Sequence, residues 1–330
     1  MPQSLVLNLV AQSDISRQHL QGHALQQLFF NLIDIVDPEL SHVLRRDRQT
    51  RAYSLSAMQV DTCADLSPGT TAVPAGNVRL FTARSQDHLA NLQYMHSDAI
   101  APQTRCWWRI SLLDDELFDH LIFLWNQLTG ETFELGSGTV KLTGIAADLP
   151  GLDGLRLDWA SSCSYRDIYE QASAHERDIH IQFITPTAFE NQGHLTPLPT
   201  ADAVFQPLRK RWNRFGGLAF APSLIANIIP THFNIQTELV QSARRQSIQA
   251  IVGCTGQISF RIDGSGDPLT IKRINTLADF TRYCPVGCNT PLGMGVVRRL
   301  SNSPELGHSP IMPTSYQPAT RRRSMPRPVQ

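Results

Sequence analysis

Gly287-Cys-Asn-Thr-Pro-Leu-Gly-Met-Gly295 places three glycines and a proline within nine residues. It lies between a predicted helix, Asn275 to Tyr283, and a short apolar run that ends in Arg298 and Arg299. Glycine turns the backbone through positive φ and lets another group approach the main chain closely. A loop of this composition beside basic residues can offer N–H groups to an anion such as phosphate. Its G-x5-G-x-G spacing is not the dinucleotide G-x-G-x-x-G, and it lacks the Lys-Ser/Thr pair of a P-loop. Read alone, it is either a plain turn or an anion cradle, and the flanking chain decides.

Working upstream, Leu269 to Ile271 reads as a strand after the turn Asp263-Gly264-Ser-Gly266. In Gln257 to Ile262, Ile258, Phe260 and Ile262 face one way and Gln257, Ser259 and Arg261 the other, a strand period. Ile248 to Val252 reads as a further strand. Earlier, a helix carries the stripe Leu208, Trp212 and Phe215, with the basic cluster 209 to 214 largely outside it. Before that, His180-Ile-Gln-Phe-Ile184 alternates and ends in Thr185-Pro186-Thr187. The order reads β-α-β-β-α-β, the ferredoxin-like order, and the glycine loop follows its last helix.

The first half repeats the pattern. Leu5 to Val10 reads as a buried strand. Leu25, Leu28, Phe29, Leu32, Ile33 and Val36 form an amphipathic stripe. Asp37-Pro38-Glu39 starts a second, short helix, with Asp at the N-cap and Pro at the first helical position. Tyr53 to Met58, Val78 to Phe81 and Trp107 to Leu113 read as strands, and residues 61 to 76 as a loop. A helix opens at Asp114-Asp115 and ends at Gly130, and a β pattern from Thr132 to Gly144 is broken by Gly136-Ser-Gly138. The expected organisation is an α+β protein of two tandem ferredoxin-like domains, 1–150 and 178–300, flanking a central cleft. A connecting segment, 151–177, carries a short helix around Tyr165 to Tyr169. Residues 301–330, rich in Ser, Pro and Arg, read as a disordered tail.

The chain has 330 residues and a net charge of zero, so its overall charge announces no polyanion. Its basic residues are bunched, at Arg45, Arg46, Arg48 and Arg51, at Arg209 to Arg214, at Arg244 and Arg245, and at Arg298 and Arg299. A local field steers a polyanion whatever distant acids do. Six scattered cysteines form no CxxC pair, which reads as free thiols and no metal site. The N-terminus does not read as a signal peptide, and no apolar stretch is long enough to span a bilayer, so a cytoplasmic, soluble protein without cofactor is expected.

Four strings resemble those of the CRISPR-associated endoribonucleases that cut precursor CRISPR RNA, members of the repeat-associated mysterious protein superfamily. They are Phe183-Ile-Thr-Pro-Thr-Ala-Phe189; Gly253-Cys-Thr-Gly256 running into Gln257-Ile-Ser-Phe260, like that family's glycine hairpin; Leu277-Ala-Asp-Phe280 with Tyr283; and Gly293-Met-Gly295. Asp37-Pro-Glu-Leu40 and Tyr53-Ser-Leu-Ser56 fit the first half, so the similarity spans roughly residues 5 to 300. The resemblance implies binding of CRISPR repeat RNA. It also implies metal-independent cleavage, in which a ribose 2′-OH attacks the adjacent phosphate and leaves a 2′,3′-cyclic phosphate and a 5′-OH.

Such a reaction needs a base near the 2′-OH, an acid near the leaving oxygen and donors for the extra phosphate charge. Relatives commonly carry a Leu-His pair at the end of the short helix; here it is Leu44-Arg45. Arg45 can stabilise phosphate but is a poor proton shuttle. His42, one turn earlier, is a candidate acid or base, or an exposed helix histidine. Tyr53 is a candidate ligand for ribose or phosphate, or a core aromatic. His23 is a weaker candidate than His42. For RNA grip the candidates are Gly287, Asn289, Thr290, Gly293 and Gly295 of the loop, with Arg298, Arg244, Arg245, Arg209 and Arg211 along the backbone. The competing expectation is a catalytically silent subunit that binds repeat RNA within a ribonucleoprotein of other CRISPR-associated proteins, as monomer or homodimer. A phosphate-binding metabolic enzyme would need a βαβ fingerprint or paired carboxylates, and neither is present.

Overall fold

The computed structural model describes residues 1–46, 52–60, 92–118, 121–146, 159–244, 247–264 and 267–300. The predicted strand Val78 to Phe81, the loop 61 to 76, Arg245, Cys63 and the tail 301–330 lie outside the described residues, as does the side chain of Arg244.

In the first half, β1 (Gln3–Ala11) leads to α1 (His23–Val36) and α2 (Pro38–Arg46). β2 (Tyr53–Leu55), β3 (Gln59–Val60) and β4 (Arg105–Leu112) follow. Then come α3 (Asp115–Phe118), α4 (Leu121–Gln127) and the hairpin β5 (Thr132–Leu135) to β6 (Gly138–Ala146). The strands order as β2-β4-β1-β6-β5, with β1 antiparallel to both β4 and β6. The predicted buried strand is present: Leu5, Leu7 and Leu9 enter a core with Leu25, Leu28, Phe29, Leu32 and Ile33 of α1. At α2 the Asp37 carboxylate accepts from the N–H of Leu40 at 2.9 Å, the cap expected of Asp-Pro.

A short β7 (Ser161–Ser162) pairs with β1, and α5 (Tyr165–Gln171) packs into the second core. In the second half, β8 (Asp178–Thr187) precedes a small hairpin of β9 (Phe189–Asn191) and β10 (His194–Thr196). Next are α6 (Ala201–Phe215), β11 (Ile228–Arg244), β12 (Ser247–Ile262), α7 (Pro268–Phe280) and β13 (Val297–Leu300). The sheet runs β11-β12-β8-β13. The main strands of both halves follow one order, so the tandem ferredoxin-like reading holds.

Three local expectations change. Leu269 to Ile271 is the first turn of α7, not a strand. Asp267 caps it, accepting from the N–H of Thr270 at 2.6 Å, and Pro268 takes the first position. The helix accordingly ends at Phe280, before Tyr283. The strands predicted at Ile248 to Val252 and Gln257 to Ile262 are one strand, and Gly253 to Gly256 lies inside it, at a register shift against β8. Its partner β11, 17 residues long, has no counterpart in the sequence reading, because Pro230 and His232 interrupt the alternation there.

Candidate functional site

The two halves meet through their sheets. Val6 of β1 packs with Leu92, Trp159, Ala160 and Val296, and Trp107 and Ile184 join this cluster from β4 and β8. Arg109 of β4 crosses the junction, donating to the carbonyl of Trp159 at 3.1 Å, to Ser4 Oγ at 2.7 Å and to the carbonyl of Arg282. No carboxylate faces it among the described residues, and burial pulls its pKa down to about 10.

The glycine loop forms the second junction. Residues 290–292 form a short 3-10 helix that lies against β2 and α1. The hydroxyl of Tyr94 donates to the carbonyl of Leu292 at 3.3 Å. Residues Thr290 to Val297 are buried, and only Gly287, Cys288 and Asn289 keep partial exposure. Gly293 has φ +90°, and a Cβ there would lie 3.1 Å from the N of Ala57. Gly295 has φ +78°, and a Cβ there would collide with the carbonyl oxygen of Val286. Both glycines therefore serve close main-chain approach.

Much of the loop's donor capacity is already committed. The N–H of Cys288 donates to Ala188 O at 2.8 Å, Leu292 to Asn289 O at 2.9 Å, Gly293 to Thr290 O at 3.3 Å and Gly295 to Pro186 O at 3.2 Å. The part of the loop that can meet a ligand is thus Gly287 to Asn289, with Asn289 in the left-handed region at φ +56°. Thr290 and Gly293 lie in the contact with the first half, whereas Gly295 packs on Val286 within its own half.

The other candidate residues separate into two groups. On α2, His42 and Arg45 are exposed while Leu40, Ser41 and Leu44 face inward. Arg45 donates to Asp34 at 2.8 Å and to Ser41 Oγ at 3.2 Å, and its guanidinium sits 4.0 Å from the centroid of Phe30. The hydrogen bond from Ser41, with the nearby Arg45, holds the Asp34 carboxyl below its ordinary pKa. His23 opens α1 on its exposed side.

Tyr53, Arg209 and Arg211 turn inward. Tyr53 is buried, its ring stacked on Phe29 at 4.4 Å, and its hydroxyl accepts from Gln26 at 3.2 Å. Arg209 is buried against the expectation of an outward cluster, and donates to the carbonyl of Phe220 at 2.9 Å. Arg211 donates to the carbonyl of Pro285 at 2.6 Å and so braces the chain just before the loop. An arginine written into a helical stripe looks basic in sequence, and only the neighbouring loop carbonyls reveal its use. Arg298 of β13 lies on the face of its sheet away from the helices, and donates to Gln182 of β8 at 2.9 Å. Gln26, Tyr94 and Arg109 were not legible as site residues, because their partners come from distant segments.

Among the described residues, no group of three His, Cys, Asp or Glu side chains is placed to hold a metal, and no helix is long and apolar enough to cross a membrane.

Two ferredoxin-like halves joined face to face, with a glycine loop docked across the junction, define a tandem ferredoxin-like class of protein. Residues 1–170 match the CRISPR Cas6 N-terminal domain, and residues 181–297 match the CRISPR-associated endoribonuclease Cas6 domain. The chain belongs to the Cas6 family of CRISPR-associated endoribonucleases. Among solved structures, a Cas6 product complex is 20% identical, with TM-score 0.65, covering 91% of this chain and 100% of that one. A second Cas6 as a substrate mimic complex is 18% identical, with TM-score 0.58, covering 91% of this chain and 99% of that one. Thermus thermophilus Cas6 is 20% identical, with TM-score 0.59, covering 91% of this chain and 98% of that one. At these identities the likeness is one of fold. No curated protein matches the sequence.

Proposed function

We propose that this protein binds the repeat RNA of a CRISPR array and cuts it by attack of a ribose 2′-OH on the neighbouring phosphate. The cut leaves a 2′,3′-cyclic phosphate and a 5′-OH, and the processed RNA stays bound. One observation carries the chemistry: His42 and Arg45 share the exposed side of α2, three residues apart. In this reading His42 moves the proton, because imidazole is the side chain best suited to both acid and base roles near neutrality. Arg45, already oriented by Asp34 and Ser41, stabilises charge on the phosphate. Gly287 to Asn289 and Arg298 supply phosphate contacts. The relatives solved as product and substrate-mimic complexes support a ligand of this kind.

Leu44-Arg45, standing where relatives carry Leu-His, favours a second reading: an RNA-binding subunit of a CRISPR ribonucleoprotein that does not cut. Incubation with repeat RNA from the array beside its gene, in EDTA, separates the two. A single product ending in a cyclic phosphate is expected. Tight binding without any cut establishes the silent subunit instead, and product formed only with added metal removes the mechanism.

A further inference from the structure

The first sheet has a face that the core leaves open. On β1 and β4 the register sets Val6 opposite Arg109, Asn8 opposite Trp107 and Val10 opposite Arg105. Leu5, Leu7, Leu9, Cys106, Trp108 and Ile110 alternate with these residues and point into the helical core. Trp107 therefore projects from the outer face, near the middle of the sheet, flanked on both sides by paired strands. It is half-buried: one side rests on the cluster of Val6, Leu92 and Trp159, and the rest is open. On β6, Lys141 stands beside Val10, so Lys141 and Arg105 bracket that end of the face. Both are exposed, and neither has a carboxylate partner among the described residues.

The same floor continues into the second half. Ile184 of β8 packs on the cluster that supports Trp107, and the next outer-face pair along that sheet is Gln182 with Arg298. A flat aromatic surface with cations on either side is the chemistry that holds unpaired nucleotides. Rings stack on bases whatever their sequence, and cations follow the phosphates. A two-residue step along a strand, about 6.6 Å, suits a ring and a cation that engage one base and its adjoining phosphate.

We propose that Trp107 is a stacking seat for an unpaired RNA base, and that Arg105 and Lys141 hold the phosphates beside it. The seat rests on the RNA-binding reading above, and extends it from the loop and α2 to the sheet face between the halves. It gives the protein a grip on single-stranded RNA that does not depend on a hairpin.

The test is fluorescence anisotropy, across a salt series, with two probes: repeat RNA from the neighbouring array and a fluorescein-labelled oligoadenylate. Trp107→Leu keeps apolar packing on the cluster but removes the stacking surface, and Trp107→Phe restores an aromatic ring. Trp107→Leu is expected to weaken oligoadenylate binding about tenfold or more, with the salt slope unchanged. Trp107→Phe should recover most of the loss. Arg105→Ala should lower the salt slope by about one. Oligoadenylate binding by Trp107→Leu at the wild-type level, equal loss in Leu and Phe variants, or no oligoadenylate binding by the wild type each overturns the seat. Failure of the wild type to bind repeat RNA overturns the underlying RNA-binding reading instead.

Discussion

The glycine loop and helix α2 meet the surrounding protein in opposite ways. The loop is tied down by its own main chain, with bonds to Ala188 and Pro186 and a run of buried residues from Thr290 to Val297. Helix α2 spans nine residues, buries three and leaves His42 and Arg45 on the surface. A buried loop gains precision and loses reach. An exposed helix face keeps its reach, and its side chains gain precision only from local anchors such as Asp34. In the proposed reading, position and chemistry fall to different halves of the chain, so each can be perturbed without the other.

The widest separation should come from His42→Ala. Cleavage of repeat RNA is expected to slow by about a hundred- to ten-thousandfold, with RNA affinity and melting temperature unchanged. A variant that cuts at the wild-type rate would remove His42 from the chemistry. On the loop, Gly295→Ala forces a side chain against Val286 at positive φ, and should cost at least about 3 kcal/mol. Thermal unfolding reads this directly, and an unchanged melting temperature would show the loop to be looser than its bonds indicate. Gly293→Ala meets Ala57 less closely, so a loss of about 1–2 kcal/mol is expected by the same measurement.

Arg45→Ala removes an exposed ion pair and a contact with Phe30, and should lower stability by less than about 1 kcal/mol while still slowing cleavage. A stability loss without a rate effect would reduce Arg45 to a brace. The smallest effect concerns acid. The Asp34 carboxyl is depressed in the folded protein, so it contributes stability above its unfolded pKa and loses that contribution as pH falls through the folded value. Melting curves of the wild type and Asp34→Asn should therefore differ near neutrality and converge at low pH.

What the sequence disclosed follows from how local each signal is. The apolar stripe of α1 and the Asp-Pro cap of α2 act within a few residues, and the structure reproduces both. The cap Asp267-Pro268 carried the same kind of signal, yet the apolar run Leu269 to Ile271 suggested a strand instead. β11 stayed hidden because an edge strand interrupted by Pro230 needs β12 beside it before its pattern makes sense. Among candidate site residues, the arginines were the least legible. Arg209 and Arg298 look alike in sequence, yet one is buried on a main-chain carbonyl and the other lies on an outer sheet face. Long-range contacts decide which, and no local pattern encodes them.

Arg109 also bears on how such a protein can be taken apart. Its guanidinium starts on β4 and spends its hydrogen bonds on Ser4, Trp159 and Arg282, segments separated by most of the chain. Cut between the first sheet and Trp159, the chain would not yield two self-sufficient modules. One fragment would expose a charged group left with Ser4 alone of its three partners, and the other two carbonyls with nothing to receive. Mixed together, such fragments have a strong reason to find each other again, and an ancestor assembled from two separate chains would have needed this same clasp.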